Sequence, residues 1–114
     1  MKYMLLMYAN ESDAPQTPDQ HQAWHSFGVE AKAAGVLLSN NGLSPIADAT
    51  TVRVRDDKTL ITDGPLAETH EQLGGYYLLN CKDLDDALYW AEKIPTAKYG
   101  SIEVRPLNQW SQKS

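Results

Sequence analysis

At 114 residues, with 42% hydrophobic and 22% charged positions, the chain has the size and composition of one compact domain, too short for two. Ten Lys and Arg against fifteen Asp and Glu give a formal net charge of -5, without the excess of positive charge that phosphate neutralisation requires, so nucleic acid is not an expected partner. The lone Cys81 cannot form an internal disulfide or a multi-Cys zinc site, which suits a cytoplasmic chain, and the apolar run Met4-Leu5-Leu6-Met7 is too short for a membrane span.

Lys2 to Tyr8 (KYMLLMY) is a continuous apolar run of strand length, the pattern of a strand buried on both faces. Turn chemistry follows from Asn10 to Pro15. Thr17-Pro18-Asp19-Gln20 then reads as a helix start, with Thr at the N-cap, Pro at the first position and Gln at the third. The spacing of Trp24, Phe27, Ala31 and Ala34 predicts a helix from Pro18 to about Ala34 with one core face, ended by Gly35 in a left-handed conformation. Val36 to Leu38 is strand-like, and Asn40-Asn41-Gly42 reads as a turn or bulge before Leu43.

Thr51 to Arg55 and Thr59 to Thr62 form a hairpin pattern around Asp56-Asp57-Lys58. Val52 and Val54 share one face and Arg53 and Arg55 the other. Asp63-Gly64-Pro65 stops the second strand. Gly75 to Leu79 is another buried-strand run, and the preceding pair Gly74-Gly75 suggests a bulge or a close strand approach rather than a phosphate loop. Asp83 to Asp86 place carboxylates at the positive end of a second helix, whose expected buried stripe is Leu84, Ala87, Leu88 and Ala91, with Pro95 as its stop. Ser101 to Arg105 is the last strand, and residues 108–114 read as a polar C-terminal tail behind a domain of residues 1–107, anchored at most by Trp110.

A helix between two strands occurs twice, which predicts a ferredoxin-like α+β fold: a split βαβ arrangement with an inserted hairpin and helices on one sheet face. Alternation keeps Met4, Leu6, Tyr76 and Leu78 from facing the helices together with Leu5, Met7, Tyr77 and Leu79, so the uncovered face is apolar as well. Homodimerisation through that open face, as a dimeric α+β barrel, is the expected cover.

The stretches TDGPLAETHEQLGGYY (residues 62–77) and DLDDALYWAEKIPTAKYGSIEVRPL (residues 83–107), with MKYMLLMY and AAGVLLSNNGL, closely resemble the DGPF subgroup of the YCII-related proteins. Leu66 departs from the subgroup's name motif, standing where Phe is usual. This keeps the position apolar with less ring area. The resemblance implies a dimeric ferredoxin-like fold, usually bacterial, without an established activity, and it points to extracytoplasmic-function sigma factors as candidate partners. A His on the first helix and an Asp near the last strand suggest an acid-base pair in the wider family. Here those positions carry Trp24, with His25 one residue on, and Ile94, so the dyad is not retained residue by residue.

Asp63 has two readings: a turn former capping nearby N–H groups, or a carboxylate acting as base or ligand anchor in a pocket. His21 and His25 stand four apart on a helix, but HQAWH lacks the Glu of a zinc-peptidase pattern, so no metal is expected. His70, between Glu68 and Glu71, reads as a turn residue, and Cys81 as a packed strand-end residue. The end of the first strand, the first helix and the Asp63 turn converge in this topology. Tyr8, Trp24, Asp63, Leu66 and Tyr76, with His25 beside them, are therefore the expected ligand pocket. Two functions follow. One is a regulatory or small-ligand-binding homodimer without a cofactor. The other is a cofactor-independent enzyme using Asp63, assisted by His25, for proton transfer on a small polar substrate.

Overall fold

The computed structural model describes residues 1–15 and 17–112. Among these residues, six strands and three α-helices follow one another: β1 (Lys2–Ala9), α1 (Pro18–Ala33), β2 (Leu37–Gly42), β3 (Thr50–Arg55), β4 (Lys58–Asp63), β5 (Gln72–Asn80), α2 (Leu84–Ala91), β6 (Ser101–Pro106) and the short α3 (Gln109–Gln112). Four strands form one antiparallel sheet in the order β2-β5-β1-β6, while β3 and β4 pair only with each other. This is the ferredoxin-like α+β arrangement, with the β3–β4 hairpin inserted between β2 and β5. The sheet is open, so no barrel closes within one chain.

Alternation along β1 decides where the core lies. Tyr3, Leu5 and Met7 point to the helices and are buried, whereas Met4, Leu6 and Tyr8 on the other face remain half-buried. Register extends the pattern across the sheet. Leu5 lies between Tyr77 and Val104 on the helix side, and Leu6 lies between Tyr76 and Glu103 on the open side. Leu5, Leu79 and Ile94 are fully enclosed, and the aromatic rings lock the helix layer over them. Phe27 meets Tyr77 edge-on at 4.8 Å and Trp90 at 6.1 Å, and Trp24 stacks on Tyr77 at 6.2 Å.

The helix ends carry the chemistry their sequences announce. Thr17 Oγ1 accepts the Gln20 N–H at 3.3 Å, and Gly35, at φ +74, closes α1. Asp83 caps α2 by accepting the Asp86 N–H at 2.9 Å, and Asp86 returns the contact by accepting from the Lys82 N–H at 2.9 Å.

Three local expectations are corrected. Asn40-Asn41-Gly42 is no turn but the end of β2. The pairing slips between Leu37 and Ser39, after which Asn41 faces Tyr76 and Gly42 faces Gly75. An edge strand tolerates such polar residues, because one side of its ladder is already open to water. The buried stripe of α2 is Ala87, Trp90 and Ala91, with Leu84 and Leu88 exposed. Two alanines let the helix approach the sheet closely, and the gap beside them takes the Trp90 ring against Phe27. On α1, Ala34 is exposed, as the capping residue beyond the last helical turn.

Gly74 is the extra residue of a bulge: Met7 pairs with Gly75 and Tyr8 with Leu73. At Gly75 a Cβ would lie 2.7 Å from the Asn41 carbonyl oxygen and 2.9 Å from the Met7 methyl, so only glycine lets β2 and β5 close here. The expected tail begins as α3, with Trp110 exposed, and its last two residues, Lys113 and Ser114, lie outside the described residues.

Candidate functional site

Where the helix side of the sheet ends, a cavity of about 500 Å³ opens between β1, α1, β2, β5 and the turn before β6. The alternation that buries Met7 and Tyr77 also aims them here, and α1 adds Trp24 from the half of the helix nearest its capped start. Asn40, which pairs with Tyr77, Thr96 and Tyr99 complete this part of the wall. The volume falls within the range of small-molecule sites. An aromatic wall faced by amide side chains suits a flat, neutral molecule that both donates and accepts hydrogen bonds.

Glu11 is the one ionisable carboxylate of the described lining, which carries no His, Cys, Lys or Arg. Its oxygens accept the Ile46 N–H at 3.1 and 3.4 Å, tying the turn after β1 to the segment before β3. Burial pushes the Tyr77 hydroxyl above the ordinary tyrosine range, so this ring meets a ligand as neutral phenol. At the sheet edge, the Ser39 and Asn41 side chains lie 3.4 and 3.0 Å from the Tyr76 oxygen. They hold that hydroxyl below its ordinary range, chiefly through Ser39.

A second cavity of about 590 Å³ lies at the base of the hairpin, against Tyr8, Ile46, Pro65 and Leu66. Leu43, Ser44, Pro45, Gln72 and Leu73 line both cavities and form the wall between them. The Leu43 N–H donates to the Gly74 carbonyl at 2.8 Å, which fixes one end of that wall to β5.

The residues expected in one pocket are therefore distributed over two. Trp24 and Tyr76 line the first cavity, and Tyr8 and Leu66 the second. Asp63 is exposed at the end of β4, opposite Thr50, and His25 is exposed on α1. Neither lines either of these two cavities. The Asp63-Gly64-Pro65 turn is closed by other groups: the Gly64 N–H donates to Ala49 at 2.7 Å, and Thr51 Oγ1 donates to the Gly64 carbonyl at 2.9 Å. Met7, Asn40, Thr96 and Tyr99 line the first cavity without having stood out in the sequence. The only local sign of the last two was Pro95, read as a helix stop when it also turns the chain toward the sheet end.

Among the described residues, no group of three or more His, Cys, Asp or Glu side chains is placed to hold a metal ion. No described helix is long and apolar enough to cross a membrane. Cys81 is buried just beyond β5, and burial, ahead of the nearby Asp86, pushes its thiol up to about 11. It is consequently a packing residue rather than a nucleophile at neutral pH.

A family model described as the YCII-related domain matches residues 1–111. Among curated proteins, the chain is similar to the uncharacterized protein R00369 of Rhizobium meliloti (strain 1021). The two are 39% identical over 114 residues, an alignment spanning 94% of this chain and 92% of that one.

Proposed function

The chain belongs to the YCII-related family, and on that footing we propose that it is a homodimer that binds a small, flat, uncharged ligand in the cavity beside Trp24 and Tyr77. The carrying observation is the lining itself: aromatic rings and amides surround about 500 Å³, and the single carboxylate, Glu11, is already engaged by the Ile46 N–H. Such a lining supplies binding and orientation, while among its described residues it has no His, Cys, Lys or Arg and its one carboxylate is tied to a backbone N–H, which favours binding over proton transfer. The placement of Asp63 and His25 outside both cavities lends no support to the proton-transfer reading.

The half-buried open face around Met4, Leu6 and Leu78 supports the homodimer, since a sheet with helices on one side leaves apolar surface that a second copy covers. The resemblance of residues 62–77 to the DGPF subgroup supports a cytoplasmic, bacterial regulatory role in which ligand occupancy is passed to a sigma factor.

Calorimetric titration with neutral aromatic amides, benzamide first, tests the ligand reading. Saturable binding, weakened at least tenfold by Asn40→Ala, is the expected result. A panel giving only heats of dilution, or binding indifferent to both Asn40→Ala and Trp24→Ala, overturns it.

A further inference from the structure

The β3–β4 hairpin behaves as an arm. Its strands pair only with each other, although an isolated two-stranded hairpin is marginal in water. Register places Val52, Val54 and Ile61 on one face, and they are 60%, 58% and 69% exposed. Arg53, Arg55 and Lys58 share the other face with Leu60, which keeps that side wet and leaves the Val-Ile side as the one to cover.

The molecular dimensions agree. The radius of gyration is 16.0 Å, against roughly 13 Å for a compact chain of this length, and the longest dimension is 48 Å in a molecule only 18 Å thick.

We propose that the arm is an interaction element for a second copy of this chain: its Val52-Val54-Ile61 face packs onto the partner of the homodimer. This rests on the dimer reading given above and adds the arm to it.

Two observations select a second copy as occupant. The first is area. Four strands spaced about 4.8 Å apart and some 25 Å long offer a face of roughly 500 Å², while a stable interface takes about 800 Å² from each partner. The arm face adds roughly 200 Å², and the surface it lands on about as much again, which brings the total to the required size.

The second is continuity. Tyr8 pairs with Leu73 on the open sheet face, and both also line the cavity at the base of the arm, where Leu66 is 70% exposed. Apolar surface thus runs from Leu6 through Tyr8, Leu73 and Leu66 to the root of the arm, so a copy seated on the sheet also meets the arm.

The test is sedimentation equilibrium of the full chain, the Val52→Glu/Ile61→Lys variant, whose opposite charges face each other across the hairpin, and the Met4→Glu/Leu6→Glu variant. Amide exchange of residues 50–63 is followed at high and low protein concentration. The substituted arm residues are already exposed in one chain, so the arm variant keeps the parent circular dichroism. The expected result is a dimer whose dissociation constant rises at least 100-fold in the arm variant, with arm amides protected only at high concentration. A parent dimer broken by the sheet variant but unchanged by the arm variant overturns the arm and leaves the dimer. A monomeric parent chain overturns both. Arm amides that exchange freely within the dimer assign the arm to a different occupant and overturn the proposal.

Discussion

The central strands and the arm are built from the same material with opposite outcomes. In β1, apolar residues on successive positions give a helix-facing row that is almost wholly enclosed. In β3 and β4, alternating apolar residues stand in water. Local pattern thus fixes which residues share a face, and only the crossings over that face decide whether it becomes core. Here α1 and α2 both pack on the sheet, and among the described residues no side chain of the arm joins the buried core.

The sharpest way to break this comparison is to remove matched side chains from each region. Leu5→Ala empties a fully enclosed site and should cost about 2–5 kcal/mol, whereas Ile61→Ala should stay within about 0.5 kcal/mol under conditions that keep the chain monomeric. Urea unfolding of the two variants checks this, and equal losses would mean that the arm is part of the same cooperative core.

A smaller effect should come from pH. Folding raises the Cys81 thiol from 9.0 to about 11, so the unfolded chain gives up its proton first. The stabilisation is complete below pH 9 and lost as pH climbs toward 11, a decline of about 2–3 kcal/mol at most. Denaturation midpoints across that window should fall in the parent chain and fall less steeply in Cys81→Ala, where the raised Tyr77 hydroxyl still contributes. The arm holds no such group, so its amide protection should not follow the same curve beyond the global loss.

The smallest effect sharpens the arm alone. Asp56 and Asp57 turn the hairpin at φ 52 and 63, a two-residue loop in which both positions are left-handed and the second favours glycine. Asp57→Gly should stabilise the arm by about 0.5 kcal/mol, seen as roughly twofold slower amide exchange in β3 and β4 with unchanged global stability.

The same division explains what could be read from sequence. Element order, the Thr17 and Asp83 caps, the Gly35 stop and the bulge near Gly74-Gly75 are written in neighbouring residues, and the ferredoxin-like sheet follows from them. The α2 stripe was misread because Leu84 and Leu88 are more apolar than alanine, while the close approach of helix to sheet selected Ala87 and Ala91. The end of β2 was misread because Asn-Asn-Gly is turn chemistry until β5 supplies a partner strand. The candidate site was less legible. Its wall joins residues as far apart as Met7, Asn40 and Tyr99, and Tyr8 and Trp24 were placed together without the segment that divides them.

The shared segment ties the two sites together. Leu43 to Pro45 and Gln72-Leu73 line both cavities, so one substitution there reshapes two sites at once. The Glu11–Ile46 hydrogen bond joins the two linings a second time, with Glu11 in the wall of the first cavity and Ile46 in that of the second.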